Sequence, residues 1–130
     1  MTPRILIVED NPMNMKLSKF VLRGAGYETV GAEDAFQAAR VIADEMPDLI
    51  IMDIGLPGKD GYQFTSELKS QASTRQIPIL VLTSYAMPSD RAKAFTAGCD
   101  GFLTKPVTGV DLLEQVHSLL NPTPTAGEAA

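Results

Sequence analysis

Five side chains suited to phosphate chemistry each follow one of the short apolar runs of the sequence. Glu9 and Asp10 follow the first run, Asp53 follows a central run, and Thr83 and Lys105 follow two later ones. In open α/β sheets, ligands bind at the carboxyl ends of the strands. If the runs are parallel strands, these side chains converge on one edge of the sheet.

The types of these side chains indicate what such an edge could do. Neighbouring carboxylates repel one another unless a cation lies between them. Mg²⁺ prefers oxygen ligands and bridges carboxylates to phosphate oxygens. An aspartate there can attack phosphorus and form an aspartyl phosphate, and a lysine and a hydroxyl can hold phosphoryl oxygens. Taken singly, each residue has an ordinary explanation as a helix start, turn, strand end or solvated side chain; together they favour a phosphoryl site.

The elements that must position these groups can be read from hydrophobic patterning. Three runs are continuously apolar, which is typical of parallel strands buried on both faces: Ile5–Val8, Leu49–Met52 and Ile79–Leu82. Two weaker strand candidates are Thr29-Val30 and Phe102–Thr104.

Segments with helical spacing separate these runs, so that strand and helix alternate five times. The first helix is predicted to begin at Asn11-Pro12, an N-cap followed by proline. The predicted core faces are Met13, Leu17, Phe20 and Val21; Ala35, Ala38, Ala39, Ile42 and Met46; Phe64 and Leu68; Ala92 and Phe95; and Val110, Leu113, Val116 and Leu120. Such alternation predicts a three-layer α/β sandwich with right-handed crossovers.

Composition excludes several classes of function. The chain has 130 residues, 11 basic and 16 acidic side chains, a net charge of -5 and one cysteine. A single cysteine forms neither a disulfide scaffold nor a cysteine zinc site, and the acidic balance argues against direct nucleic-acid binding. No apolar run approaches the ~18 residues of a membrane span. We therefore expect a cytoplasmic protein with one domain over residues 1–120 and a flexible tail over 121–130.

The sequence resembles the receiver domain of bacterial two-component response regulators. The resemblance covers residues 4 to about 120 and is carried by four motifs: Ile5–Asn11, Met52–Gly61, Thr83-Ser84 and Gly98–Pro106. The segment from Glu9 to Lys16 is similar to receivers of hybrid kinases and of stand-alone cell-cycle regulators.

This resemblance assigns roles to the acidic residues. It implies that Asp53 is the phosphoryl acceptor and that Glu9 and Asp10 are the acidic pair that binds Mg²⁺. Asp53 and the backbone carbonyl of Gly55 would complete the protein ligands of the metal.

Further roles come from the same resemblance. Thr83 matches the hydroxyl that moves toward the phosphoryl group, and Lys105 matches the cationic partner of that group. Phe102 matches the aromatic switch residue. Lys105-Pro106 matches a position where receivers usually have a cis peptide bond.

The resemblance also implies a flavodoxin-like (βα)5 fold with a parallel five-stranded sheet in the order 2-1-3-4-5. It implies a non-enzymatic signalling module, monomeric or weakly dimeric, that receives phosphate from a histidine kinase or a histidine phosphotransfer protein. Its output would be regulation of a partner protein through the face built from the fourth helix, fifth strand and fifth helix.

Two alternative functions remain open at this stage. The chain could be a phosphorelay intermediate that passes its phosphate to another histidine. It could also be a Mg²⁺-dependent phosphohydrolase with an aspartyl-phosphate intermediate. Such enzymes typically have a second aspartate two residues after the nucleophile, where this chain has Gly55.

Overall fold

The computed structural model describes residues 2–56, 58–84 and 87–121, in which strands and helices alternate as predicted. The strands are β1 (Arg4–Val8), β2 (Glu28–Ala32), β3 (Leu49–Asp53), β4 (Ile79–Thr83) and β5 (Gly101–Thr104). The helices are α1 (Pro12–Gly24), α2 (Ala35–Asp44), α3 (Gly61–Ser70), α4 (Pro88–Ala97) and α5 (Gly109–Leu120). Of the predicted tail over 121–130, residues 122–130 lie outside the described residues.

The five strands form one parallel sheet in the order β2-β1-β3-β4-β5, which confirms the predicted flavodoxin-like topology. Val8 pairs with Met52, and Asp53 pairs with Leu82 on the next strand. Thr83 in turn pairs with Thr104. This register places the ends of four strands at the same edge of the sheet.

Alternate residues of the buried strands pack into two separate cores. Ile5, Ile7 and Ile51 belong to the core covered by α1 and α5. Leu6 and Met52 belong to the core covered by α2, α3 and α4. The continuous apolar runs of the sequence are therefore explained by a sheet with helices on both faces.

The predicted core face of α1 is wrong for three of its four residues; the fourth, Val21, packs partly buried against the core covered by α1 and α5. Met13, Leu17 and Phe20 have exposed fractions of 64%, 55% and 77%. Leu22 is instead the buried residue of the helix, and Met15 packs against the same core. The helix has apolar side chains on two sides, and its spacing alone does not determine which side faces the sheet.

Smaller corrections apply to three other helices. In α2, Ala35, Ala38 and Ile42 are buried as predicted, whereas Ala39 and Met46, which follows the helix, are exposed. In α4, Ala92 and Phe95 are exposed and Ala94 is buried instead. In α5, Val116 is buried but Val110 is exposed. In each case the prediction assigned an apolar residue to the core, whereas the orientation of the helix exposes that residue to solvent.

Cys99 follows α4 and is buried in the core on that side of the sheet. Burial is the largest cause that raises the pKa of its thiol, to about 11, and Asp100 adds to the effect. The thiol is therefore protonated at neutral pH and packs as a small apolar side chain.

None of the helices in the described part of the chain combines the length and apolar character that a membrane span needs.

The start of α3 packs directly on the backbone at the end of β3. A Cβ atom at Gly61 would lie 2.8 Å from the carbonyl oxygen of Asp53 and 3.0 Å from the Cα atom of Ile54. Both are backbone atoms, which cannot turn aside as a flexible side chain can. Glycine at this position therefore allows the helix to begin against the strand end.

We expect Gly61→Ala to lower the free energy of unfolding by about 1–3 kcal/mol, because the added methyl overpacks against backbone. The measurement is urea unfolding followed by circular dichroism. Gly24→Ala is the matched control: a Cβ there meets no atom within 4 Å, and alanine favours the helix by up to ~1 kcal/mol. A Gly61→Ala variant as stable as the wild type would contradict this account of the packing.

Candidate metal and phosphoryl site

The carboxyl edge of the sheet brings all the predicted catalytic and metal-binding residues together around one cavity. The cavity has a volume of about 220 Å³ and is lined by Glu9, Asp10, Asn11, Asn14, Asp53, Gly55, Thr83, Ser84 and Lys105. A larger cavity of about 630 Å³ lies between α2 and α3. We assign the chemistry to the smaller one because it contains the clustered carboxylates and the lysine.

Backbone hydrogen bonds hold the residues that come directly after the strands. The Glu9 N–H donates to the Ala32 carbonyl at 2.9 Å, and the Lys105 N–H donates to the Thr83 carbonyl at 2.7 Å. These bonds continue the ladder by one residue beyond β1 and β5, so both functional side chains begin from fixed backbone.

Lys105 connects two of the three carboxylates. Its Nζ atom lies 2.9 Å from Oε1 of Glu9 and 3.1 Å from Oδ2 of Asp53. Only 6% of the Glu9 side chain and 10% of the Asp53 side chain are exposed. Because these ion pairs are largely shielded from water, they are stronger than surface pairs.

Backbone donors occupy the remaining oxygens of the two buried carboxylates. The Asn11 N–H donates to Oε2 of Glu9 at 3.1 Å, and the Gly55 N–H donates to Oδ1 of Asp53 at 3.2 Å. The hydrogen bond from Asn11 lowers the pKa of Glu9 and so favours its ionised form. The two hydrogen bonds also orient each carboxylate plane at the edge of the cavity.

The pKa values in the cluster reflect the competition between burial and pairing. Burial raises the pKa of Glu9, and its contact with Asp53 raises it further, against the opposing effect of Lys105. Burial lowers the pKa of Lys105, but its hydrogen bonds to Glu9 and Asp53 outweigh burial, so the net pKa is raised. The lysine is therefore held firmly in its charged form.

The cluster has excess negative charge that a divalent cation would neutralise. Carboxylate oxygens of Glu9, Asp10 and Asp53 all lie within 4.8 Å of one another. Three carboxylates and the single ammonium of Lys105 leave a formal charge of -2 when all are ionised. A set of hard oxygen donors around a cavity suits Mg²⁺, and Gly55 lines the same cavity. The residues present therefore fit the predicted metal.

The predicted switch residues lie on the two strands at the far side of the cavity. Thr83 is buried at the end of β4. Phe102 lies on β5 and packs, partly buried, against the core beneath α4. The Lys105-Pro106 peptide bond is cis.

Asn11 and Asn14 also line the cavity, although the sequence indicated Asn11 only as a helix cap. The Asn14 N–H donates to Oδ1 of Asn11 at 3.0 Å, which caps α1. The capping pattern could have indicated that Asn11 and Asn14 line the cavity. A helix that begins directly after the acidic pair must place its first turn at the site.

A doubly wound sheet with clustered carboxylates and a lysine at its carboxyl edge fits α/β proteins that bind phosphate groups, and comparison with known proteins narrows this class. Residues 5–117 match the response regulator receiver domain. The polar-differentiation response regulator DivK of Brucella ovis is 36% identical over 120 residues, which are 92% of this chain and 98% of that protein.

Solved structures agree with this result. The receiver domain of a sensor histidine kinase from Pseudomonas aeruginosa, with magnesium coordinated in its active-site cleft, is 35% identical with a TM-score of 0.84, covering 92% of this chain and 98% of that one. A chemotaxis protein of Vibrio cholerae is 27% identical with a TM-score of 0.86, covering 92% and 99%. The chain belongs to the response regulator receiver family.

Mg²⁺ should stabilise the folded chain through the three carboxylates. At a concentration ten times the dissociation constant, we expect the free energy of unfolding to rise by ~1.4 kcal/mol. Urea unfolding with and without MgCl₂ at constant ionic strength measures the increase. Asp10→Asn should lose most of it, because one ligand and one negative charge are removed.

Asp44→Asn serves as the matched control. Asp44 is an exposed carboxylate at the C-terminal end of α2 and is not among the residues that line the cavity. Its response to Mg²⁺ should equal that of the wild type. Stabilisation of Asp10→Asn by Mg²⁺ to the full wild-type extent would exclude Asp10 from the metal site.

Proposed function

We propose that this chain is a phosphoryl-acceptor signalling protein, phosphorylated on Asp53 by a phosphohistidine donor and acting on partner proteins through a change of surface. The observation that carries the proposal is the position of Lys105. Its ammonium lies within 3.1 Å of Asp53 and 2.9 Å of Glu9, at the edge of a cavity lined by carboxylates. The cytoplasmic location is part of the same proposal, since the named relatives are signalling response regulators.

The reaction at Asp53 is a transfer of a phosphoryl group between two side chains. A carboxylate oxygen of Asp53 forms a bond to phosphorus as the bond from phosphorus to the donor histidine nitrogen breaks. Bound Mg²⁺, held by Glu9, Asp10, Asp53 and the carbonyl of Gly55, would neutralise negative charge on the phosphoryl oxygens.

The chain's own residues supply the other requirements of the transfer. Lys105 already contacts the acceptor carboxylate and is charged, so it can pair with a phosphoryl oxygen with little movement. The Gly55 N–H orients Asp53 through Oδ1. Glu9 holds Lys105 in place from the other side.

A phosphohydrolase is the less favoured function for this site. Gly55 stands where such enzymes supply an acid/base carboxylate, and it lines the cavity without a titratable group. We therefore infer that the chain is not a turnover enzyme and that its phosphorylated form is its product.

Incubation with acetyl phosphate and MgCl₂, followed by intact-mass measurement, tests the acceptor. We expect the mass to increase by one phosphoryl group in the wild type and in Asp44→Asn. Asp53→Asn should show no increase, because its amide is not a nucleophile toward phosphorus. Continued turnover of assorted phosphate esters by the wild type would instead support the hydrolase.

The exposed apolar side of α1 supports a docking role for this helix. Met13, Leu17 and Phe20 follow one another at i, i+4 and i+7, so they share one side of the helix. The helix begins two residues after Asp10, and its first turn borders the cavity through Asn14. A donor that presents its phosphohistidine to Asp53 must approach from this neighbourhood, where an apolar helical surface is available.

Phe20→Ala should therefore impair transfer from a phosphorylated histidine phosphotransfer protein while leaving acetyl phosphate as effective as before. We expect a loss of about tenfold in apparent affinity for the protein donor, since exposed aromatic anchors often dominate interfaces. Rapid-quench transfer assays with both donors measure this.

The matched control is Phe36→Ala, because Phe36 has a similar exposed fraction of 72% but lies on α2. Both variants should change the free energy of unfolding by no more than ~0.5 kcal/mol. Equal rates for Phe20→Ala and the wild type with the protein donor would exclude the α1 surface.

The output surface in this proposal is formed by α4, β5 and α5. When Asp53 takes the phosphoryl group, Thr83 turns toward it and Phe102 moves into the space that Thr83 leaves. The shallow attachment of α4 supports this, because elements with few buried side chains open at low cost. Ala94 is the only buried residue of α4, a helix that lies entirely within the described part of the chain.

A further inference from the structure

Helix α4 has one buried side chain, Ala94, and several contacts made by side chains at its surface. Its N-cap, Met87, makes no capping hydrogen bond with its side chain. Tyr62 of α3 donates from its hydroxyl to the Asp90 carbonyl at 3.4 Å, and Lys93 Nζ lies 5.3 Å from the centre of the Tyr62 ring. These contacts connect α4 to α3.

A second attachment connects α4 to β5 through Arg91, which lies near one aromatic ring on each of these two elements. The Arg91 guanidinium carbon lies 5.0 Å from the centre of the Phe95 ring and 5.7 Å from the centre of the Phe102 ring. Both separations are within the ~6 Å over which a cation is attracted to an aromatic face. Phe95 is one turn along the same helix, so only the contact with Phe102 joins two elements.

We propose that Arg91 is a positioning residue that holds Phe102 against α4 in the unphosphorylated chain and so opposes the switch. This inference rests on the proposed function, in which Phe102 moves toward the space vacated by Thr83. An interaction shifts an equilibrium only if it differs between the two states. The Arg91 guanidinium carbon lies 5.7 Å from the centre of the Phe102 ring, and inward movement of the ring would break this contact.

The geometry makes Arg91 a better candidate for this role than its neighbours. Phe102 is partly buried and packs against the core that includes Ala94 of α4, and the Arg91 guanidinium lies over its ring. Lys93 interacts with Tyr62 instead of Phe102. Arg91 is the residue of α4 whose charge lies over the proposed switch ring.

Titration of the full chain with beryllium fluoride in the presence of MgCl₂ tests the inference, because this phosphoryl analogue selects the switched state. A cation–π contact at a partly exposed site corresponds to a change of about two- to fivefold in an equilibrium. Arg91→Ala should therefore bind the analogue about two- to fivefold more tightly than the wild type. Arg91→Lys should fall between them, because its ammonium retains the charge without the planar stack.

A double-mutant cycle separates this role from a general effect of charge or stability. In a Phe102→Leu background, Arg91→Ala should leave the affinity for the analogue unchanged. Arg40→Ala is the matched control: Arg40 lies 5.9 Å from the centre of the Phe36 ring on α2, far along the chain from the switch residues. It should bind the analogue as the wild type does.

Proton NMR gives an independent signature of the stack. The side-chain protons of Arg91 should be shifted upfield by the Phe102 ring in the free chain, and this shift should diminish with beryllium fluoride bound. Affinity of Arg91→Ala that is unchanged or weaker would overturn the inference, as would tighter binding that persists without Phe102. A wild type that binds no analogue would overturn the proposed function together with it.

Discussion

Repulsion among the three carboxylates at the carboxyl edge of the sheet is the constraint on which the rest of this structure depends. Glu9 and Asp53 are both buried, and burying charged groups is costly unless they are paired. Lys105 provides one positive charge from a strand two places away from Asp53 in the sheet. The remaining negative charge makes the cavity attractive to a divalent cation, and a cation bound there would make the cavity receptive to a phosphoryl group.

The fold meets this constraint through strand register and through the residues that stand directly after each strand. Parallel pairing aligns the ends of β1, β3, β4 and β5, and single backbone bonds beyond β1 and β5 fix Glu9 and Lys105. Gly61 lets α3 begin against the Asp53 carbonyl. The same arrangement leaves the apolar side of α1 open beside the site, and α4 contributes one buried side chain, Ala94, to the core.

The strands and the site residues could be predicted from sequence because both depend on local order along the chain. A buried parallel strand is a continuous apolar run, and the polar residue after it lies at the sheet edge. The buried faces of the helices were harder to predict. Phe20 and Leu22 are two residues apart on a helix with apolar side chains on both sides, and only packing against the sheet decides which of the two is buried. The stack of Arg91 on Phe102 joins two elements through side-chain directions that spacing does not specify.

A crystal structure of the full chain grown with MgCl₂ and beryllium fluoride tests the central claim most directly. The account predicts beryllium fluoride on Asp53, one metal ion held by oxygens of Glu9, Asp10, Asp53 and Gly55, and the Lys105 ammonium within hydrogen-bonding distance of a fluoride. A metal ion bound away from these carboxylates, or an unmodified Asp53 with Lys105 turned to solvent, would contradict it.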